Sequence, residues 1–337
     1  MNPIRSFRNT KAAVYYLNQF AGRHIRWVML YATNRCNACC KHCKIWAQKP
    51  KIDLSPHVVE SIVNAKCTNS RLYPTSYGLE GGEFLLHPHY KEILDLVKDR
   101  DYILLSNAVL DDILIDTVRE FKVKHLHVSL DGTKETHKSV RGVDLFDKVD
   151  HVVNEVRHQT EITLVYTASP WNSYKDFLFV KDYCKKKGIG FAISIFADFR
   201  LFDVNDAFEK KSNVLQGYDL KTETDPYLLR YQDWLKGNAK IPCQSPLCRV
   251  VVYPNGDVPF CCHKEILLGN LYEKSLDEIW RSEETKKVQK QFIGSCNDCW
   301  ISFHRKFDLS YFETLNRGLP KLLLSKKLGS DYTRKCA

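Results

Sequence analysis

The chain has 337 residues, of which 27% are charged and 44% are hydrophobic, a composition that is ordinary for a soluble globular protein. The formal net charge is +10, but basic and acidic residues are mixed along the chain, so nucleic acid is only a minor candidate partner. No apolar run is long enough to cross a bilayer, and basic residues interrupt the N-terminal segment, so we expect neither a membrane partner nor a secretory signal.

The first two hundred residues alternate short apolar runs with amphipathic ones. After a helical extension over residues 1–25, six strands are predicted, over residues 26–32, 75–79, 102–105, 125–130, 162–167 and 190–196. Regular alternation of strands and helices indicates parallel strands with right-handed crossovers. We therefore expect an α/β fold, a partial (β/α)6 TIM-like barrel over residues 26–200, with its chemistry at the carboxyl ends of the strands.

The rest of the chain breaks this rhythm. Residues 201–240 are polar and read as a bridge into a small Cys-rich α+β module over residues 241–304. In that module, Asn255-Gly256 separates two apolar runs, over residues 249–253 and 258–262, which predicts a β-hairpin. Residues 305–337 form a basic tail, with a short helix expected over residues 309–316.

Ten of the thirteen cysteines lie in two groups, which indicates metal ligation instead of disulfides and a reducing cytoplasm. The first group contains Cys36-x3-Cys40-x2-Cys43, directly after the first strand. Three thiolates on one loop can hold three irons of a [4Fe–4S] cubane and leave the fourth iron open. The alternative is a zinc site formed by two pairs, one of which includes Cys39, but abutting pairs leave little room to wrap one ion.

The second group spans the predicted hairpin, which brings its two ends together so that cysteines before and after it can share one metal. Its members are Cys243, Cys248, Cys261, Cys262, Cys296 and Cys299. On spacing alone, a zinc ribbon is the alternative to an iron–sulfur site here.

The first cysteine motif, together with Gly81-Gly82-Glu83 at the end of the second strand, resembles the radical S-adenosylmethionine (radical SAM) superfamily over residues 26–200. Residues 241–304 resemble the SPASM/twitch auxiliary-cluster module. The resemblance implies two [4Fe–4S] clusters and S-adenosylmethionine (SAM) as cofactors. It also implies reductive cleavage of SAM to a 5′-deoxyadenosyl radical that abstracts a hydrogen atom from the substrate. Family members usually have proline after the glutamate, where this chain has Phe84.

The resemblance also implies roles for individual residues. The ligands of the SAM cluster are expected to be Cys36, Cys40 and Cys43. The residues expected to contact SAM are Gly81, Gly82, Glu83, Asn107, Ser129, Asp131 and Arg141. The expected ligands of the auxiliary cluster are Cys243, Cys261, Cys296 and Cys299, with Cys248 and Cys262 as substitutes. A general base or radical-quenching group is expected from the last strand ends, with Tyr166, Ser194 and Asp198 as candidates.

Two substrate classes follow from the resemblance. The twitch group implies oxidation or dehydrogenation of a small, aminosugar-like molecule, whereas the wider SPASM group implies modification of a ribosomally made peptide by epimerisation, crosslinking or maturation. No peptide-recruitment domain is evident, which favours the small substrate.

A basic face would suit an acidic electron donor such as flavodoxin or ferredoxin. A molybdopterin-precursor cyclase is disfavoured because the chain does not end in glycines. The rival from another class is a zinc-stabilised nucleic-acid or protein-binding module.

Overall fold

The computed structural model of the chain describes residues 24–70, 74–197, 213–264 and 266–318, the last eight of them as helical backbone only. Three parts of the sequence prediction lie outside the described residues. They are most of the extension over residues 1–25, Asp198, and the end of the basic tail from residue 319 onward.

Seven strands form one sheet, all of them parallel to their neighbours. They are β1 (Trp27–Tyr31), β2 (Ser76–Glu80), β3 (Asp101–Ser106), β4 (His125–Ser129), β5 (Glu161–Ala168), β6 (Gly190–Ile195) and β7 (Arg249–Val252). Their order is β6-β5-β4-β3-β2-β1-β7, so the first six follow the chain across the sheet. The predicted α/β partial barrel is confirmed, with one strand more than expected.

Helices connect the strands and cover the outer face of the sheet. They are α1 (Pro56–Asn64), α2 (Tyr90–Val97), α3 (Asp111–Phe121), α4 (Lys134–Arg141), α5 (Phe146–Val156) and α6 (Tyr174–Lys187). Helix α4 was not predicted from the sequence. Thr133 caps its N-terminus by accepting from the Thr136 N–H, and Gly142 ends it in a left-handed conformation, at φ 72°. This short helix matters because its last residue is Arg141.

The two faces of the sheet have different environments. Side chains such as Leu30, Leu79 and Leu126 point outward and are fully buried against the helices. Burying one such side chain stabilises the fold by roughly 1.5–3 kcal/mol. The alternate residues of each strand point inward, where the sheet curls around a cavity. The period of two along each strand therefore separates residues that stabilise the fold from residues that are available for chemistry.

The Cys-rich module joins the barrel through β7, which pairs in parallel with β1 from Trp27 opposite Arg249 to Leu30 opposite Val252. The prediction that residues 249–253 and 258–262 pair as a β-hairpin is therefore wrong in its strand pairing. The chain does reverse at Gly256, whose N–H donates to Tyr253 O at 2.9 Å. However, the edge of β7 is taken by β1, and the antiparallel ladder forms instead between β8 (Asp257–Pro259) and β9 (Leu267–Asn270).

Short helices complete the module. They are α7 (Pro226–Leu229), α8 (Tyr231–Leu235), α9 (Leu276–Arg281), α10 (Glu283–Phe292) and α11 (Ser302–Gly318). Helix α11 starts well before the predicted helix over 309–316, and its Arg305 and Asp308 side chains are fully buried. The start of the supposed tail thus belongs to the packed module. Among the residues that the structure describes, none of the helices combines the length and the apolar character needed to cross a membrane.

Candidate active site

The loop that carries Cys36, Cys40 and Cys43 lies at the carboxyl end of β1 and is held against the end of α4. The Cys39 N–H donates to Arg141 O, and the Lys41 N–H donates to Val140 O, both at 2.9 Å. Cys39 is exposed, whereas Cys40 is buried and the other two cysteines are partly buried. The loop therefore directs the three cysteines of the motif inward and leaves Cys39 outside.

Gly81 and Gly82 hold the same loop from the other side. The Gly82 N–H donates to Thr33 O at 2.8 Å. A Cβ on Gly82 would lie only 2.2 Å from Arg35 O and 2.8 Å from Cys36 Cβ. Because neither glycine has a side chain, the backbone around the cysteine loop can approach both of them closely. Both glycines also line the cavity, where they were expected to contact SAM.

Glu83 and Asn107 connect β2 and β3 to the cysteine loop. Ser106 Oγ donates to Glu83 Oε1 at 3.0 Å, and the Asn107 N–H donates to Glu83 Oε2 at 2.8 Å. Burial raises the pKa of Glu83 to about 7, although these hydrogen bonds oppose the rise. Asn107 Nδ2 lies 3.8 Å from Cys36 Sγ. The carboxylate is therefore fixed beside the cysteine loop, where a ligand ammonium could bind it.

Arg141 and Asp131 form a buried ion pair. Arg141 Nε donates to Asp131 Oδ2 at 2.6 Å, and the Thr167 N–H donates to Asp131 Oδ1 at 3.0 Å. Arg141 reaches the cavity, and its Nη1 lies 3.7 Å from Cys40 Sγ. Ser129 also lines the cavity, but Asp131 lies behind the arginine and is fully buried. The predicted direct contact of Asp131 with SAM is therefore corrected: Asp131 positions Arg141.

The inward side chains enclose a cavity of about 450 Å³, within the size range of small-ligand sites. The strands contribute inward residues such as Met29, Glu80, His127 and Thr167. The module closes the far side with groups that include Cys262 and Phe303. The cavity is thus bounded on one side by the cysteine loop and on the other by the module.

The three candidates for a base have different positions. Ser194 lines the cavity and hydrogen bonds to Ser302 Oγ at 3.1 Å. Tyr166 lies on the outer face of β5, where its hydroxyl hydrogen bonds to Tyr218 and Ser173. The prediction for Tyr166 is wrong in its direction, because the alternation along β5 turns this side chain towards α6. Asp198 lies outside the described residues.

The structure brings four cysteines of the module together. Backbone bonds join the segments of Cys243 and Cys296: the Cys243 N–H donates to Cys296 O at 2.9 Å. Burial raises the pKa of Cys299 to about 11, and the nearby Cys261 and Cys296 thiols add to the rise. Cys243 interacts electrostatically with both Cys299 and Cys296. These four are the residues that the family resemblance implies as ligands.

The two substitute cysteines have different surroundings from the set of four and from each other. Cys248 Sγ lies 3.8 Å from Ser245 O, and the charged groups near its thiol are Arg249, Asp308 and Arg26, with no other cysteine among them. Cys262 interacts electrostatically with Cys261 and Cys299, but it lines the cavity and packs in the apolar cluster around Met29 and Tyr31. Neither therefore joins the set of four as a full member.

A recurring local turn marks most of the candidate ligands. At Cys36 and Cys43, the backbone N–H two residues later, at Ala38 and Ile45, faces the thiol and opposes the rise in its pKa that burial causes. The same contact occurs at Cys261, Cys296 and Cys299. N–H donors aimed at sulfur stabilise thiolate ligands. The donor arrangement therefore fits metal–thiolate sites on these residues.

The distances between the cysteine sulfurs favour an iron–sulfur cluster over a single zinc ion. Around one tetrahedral zinc, with bonds of about 2.3 Å, ligand sulfurs would lie roughly 3.8 Å apart. Within the described part of the chain, only Asp111, Asp112 and His151 place three or more potential ligand atoms all within 4.8 Å of one another. The cysteine sets are thus wider than one zinc ion requires, as expected for ligands of a larger cluster.

Sequence reasoning missed several cavity residues. Glu80 directly precedes the glycine pair, on the same inward face as Gly78, but the predicted strand stopped at Leu79. Alternation with the buried Tyr77 and Leu79 was the signal that could have found it. Lys306, on α11, also lines the cavity, and no local pattern in the tail indicates that.

Comparisons with known proteins agree with this geometry. The family model described as the radical SAM superfamily matches residues 30–189, and the SPASM model, described as an iron–sulfur cluster-binding domain, matches residues 243–300. Two curated relatives are a probable GTP 3′,8-cyclase of Methanocaldococcus jannaschii, 26% identical over 176 residues, and the GTP 3′,8-cyclase of Aliarcobacter butzleri, 25% identical over 182 residues. These matches cover 50% of this chain and 57% and 54% of the relatives. The chain therefore spans about half the length of the curated relatives it matches.

Solved structures share the fold over most of the chain. SuiB of Streptococcus suis bound to S-adenosylmethionine has a TM-score of 0.58 at 15% identity and covers 89% of this chain and 78% of SuiB. The protein anSMEcpe with bound AdoMet has a TM-score of 0.55 at 18% identity, and the match covers 89% of this chain and 98% of anSMEcpe. These solved structures share the fold, and the two family matches show that the chain carries a radical SAM domain and a SPASM domain, which imply [4Fe–4S] clusters and S-adenosylmethionine as cofactors.

Proposed function

We propose that this radical SAM enzyme carries out a two-electron oxidation, a dehydrogenation, of a small aminosugar-like molecule. One observation carries the proposal: both cysteine sets meet in one apolar cluster beside the cavity. Cys36 and Cys43 on one side, and Cys299 on the other, pack against a cluster that contains Met29 and Tyr31. A substrate between them would lie close to both candidate clusters.

In this proposal Cys36, Cys40 and Cys43 hold the SAM cluster. Glu83 faces the methionine ammonium, and Arg141, held in place by Asp131, faces the carboxylate. When bound, the cofactors supply one electron that cleaves the sulfonium bond and yields the 5′-deoxyadenosyl radical that removes a substrate hydrogen atom. The apolar residues around the cavity exclude water from this reaction.

The second half of the oxidation uses the other set. We assign Cys243, Cys261, Cys296 and Cys299 to the auxiliary cluster, which leaves no iron of that cluster open. A cluster held there would accept one electron from the substrate after the 5′-deoxyadenosyl radical has taken one hydrogen atom, and a base would take one proton, so the two-electron oxidation balances. Ser194 remains a candidate for guiding the proton, because it lines the cavity.

Modification of a ribosomally made peptide is the second candidate. A second groove of about 400 Å³ shares Cys262 with the main cavity and would give an extended chain a path to it. SuiB has also been solved bound to the precursor peptide SuiA, with a TM-score of 0.58 at 13% identity. An acidic flavodoxin or ferredoxin is the electron donor we propose for either reaction, in the cytoplasm, since all described cysteines are free thiols.

The test is an anaerobic incubation of the reconstituted enzyme with SAM, a reductant and a deuterated cell extract. We expect about eight irons per chain, on the composition of two cubanes, and deuterium in the 5′-deoxyadenosine formed. Fractionating the extract into small molecules and peptides separates the two substrate classes, and GTP is included as a defined substrate. A chain that binds zinc and forms no 5′-deoxyadenosine would refute the proposal.

A further inference from the structure

One wall of the cavity carries polar groups that no described residue satisfies. The indole Nε1 of Trp27 is buried without a hydrogen-bond partner. The Glu80 carboxylate faces the same cavity, and among the residues described it forms no hydrogen bond or ion pair. A buried donor without a partner is costly, and a partly buried carboxylate without a partner adds to that cost. They therefore point to partners that a ligand supplies.

Gly78 lies between these two groups and lines the same cavity. A Cβ on Gly78 would lie 3.4 Å from Trp27 Nε1, 3.8 Å from Glu80 Oε1 and 2.9 Å from Met29 Sδ. Gly78 and Glu80 lie two residues apart on β2 and so share its inward face. Gly78 thus has no room for a side chain, and its backbone borders the cavity between the acceptor of Glu80 and the donor of Trp27.

The surroundings of Glu80 favour a cationic partner. Burial raises the pKa of its carboxyl to about 7, and its ionisable neighbours Tyr31 and Cys262 carry no positive charge. The nearby Arg249 stacks on the Trp27 ring at 5.4 Å and donates to Phe303 O. A ligand cation beside Glu80 would therefore restore the ionised carboxylate without competing with an existing ion pair.

We propose that Trp27, Gly78 and Glu80 form a substrate subsite for a primary ammonium group. The carboxylate of Glu80 accepts from the ammonium, and Trp27 Nε1 donates to an adjacent oxygen of the same molecule. An ammonium is compact and carries three donors, so it suits the part of the cavity that Trp27, Gly78 and Glu80 line together. The inference rests on the proposed function, because it names the substrate class for the same cavity: an amine with a neighbouring hydroxyl or carbonyl oxygen.

The test uses benzylamine and benzyl alcohol as matched probes of similar shape. Their affinities for the reconstituted enzyme with SAM bound are measured at pH 8 by calorimetric titration. We expect the amine to bind at least tenfold more tightly than the alcohol. Glu80→Gln should remove this preference, whereas Glu60→Gln, which removes the same charge from the exposed face of α1, should leave it intact. Equal affinities in the unaltered enzyme, or a preference that survives Glu80→Gln, would overturn the inference.

A steric variant keeps the test decisive if Glu80→Gln does not fold. Gly78→Ala retains the carboxylate but adds a methyl group between it and Trp27, so we expect benzylamine affinity to fall at least tenfold while the iron content is retained. Unchanged amine affinity in this variant would equally contradict the subsite. Failure of the proposed function would be visible separately, as missing iron or missing 5′-deoxyadenosine in the unaltered enzyme.

Discussion

Arg141 Nε donates to Asp131 Oδ2 at 2.6 Å, and the pair is buried beneath the cysteine loop. Burial alone would raise the pKa of Asp131, but the Arg141 guanidinium holds it below its ordinary value of 3.8. A carboxyl whose pKa is lower in the folded chain contributes stability above its ordinary pKa and loses it as the pH falls through the folded-state value.

Asp131→Asn is therefore expected to lower the free energy of unfolding at pH 7 by about 3 kcal/mol, since it leaves the buried Arg141 unpaired. The difference from the unaltered protein should shrink as the pH falls below 4. Chemical denaturation at pH 7, 5 and 3 measures this. A difference that does not change with pH would contradict the assigned ion pair.

Gly82→Ala should prevent assembly of the SAM cluster. The new Cβ would lie 2.2 Å from Arg35 O, which forces the cysteine loop away from β2. We expect the iron content to fall from about eight to about four, because the module is untouched. Gly188→Ala is the control: its position is left-handed but open, so the variant should lose about 1 kcal/mol of stability and no iron. Full iron content in Gly82→Ala would show that this contact is not required.

Single substitutions separate the ligands of the auxiliary cluster from their neighbours. Cys261→Ser should remove that cluster, since its thiol lies with the other three and accepts backbone N–H groups. Cys248→Ser should retain all the iron, because its thiol lies beside Ser245 O instead. Iron analysis and visible absorption of both variants measure this. The opposite pattern would move the site to Cys248.

Arg305 should raise the reduction potential of the auxiliary cluster. The side chain is fully buried, its Nε donates to Cys299 O at 2.6 Å, and its Nη2 has no partner. A buried cation stabilises the more negative, reduced cluster. In a Cys36, Cys40 and Cys43 to alanine background, Arg305→Met should lower the midpoint of a potentiometric titration by at least 59 mV, about a tenfold change for one electron.

Two variants calibrate that titration. Arg305→Lys keeps the charge and should restore most of the potential. Lys264→Met removes a more exposed cation that pairs with Asp298, so its shift should be smaller because solvent screens it. Equal shifts for Arg305→Met and Lys264→Met would show that burial of Arg305 has no special effect.

The sequence predicts the barrel because local alternation determines it. Each of the first five strands is a short apolar run that a helix follows before the next strand, and the first six strands are neighbours in the sheet in chain order. Strand β7 breaks that rule. Arg249–Val252 has the local pattern of a hairpin arm, but it pairs with β1, the first strand of the chain, which is distant from β7 in the sequence. Long-range pairing of this kind leaves no local signal.

Side-chain direction limited the prediction of the site. Motifs identify Glu83, Arg141 and the cysteines, because their residue types and spacing are unusual. The position of Asp131 behind Arg141 depends on α4, a helix too short and polar to be predicted. The roles of Tyr166 and Glu80 depend on which face of the strand is inward, and the residue types alone do not indicate that face.

The most direct test of the central claim is electron paramagnetic resonance of the reduced, anaerobically reconstituted protein with and without SAM. Binding of SAM to an open iron of the Cys36–Cys40–Cys43 cluster predicts a clear change in the signal. The change should persist in Cys261→Ser and vanish when the three cysteines of the loop are replaced by alanine. A signal that SAM does not alter in the unaltered protein would contradict the account.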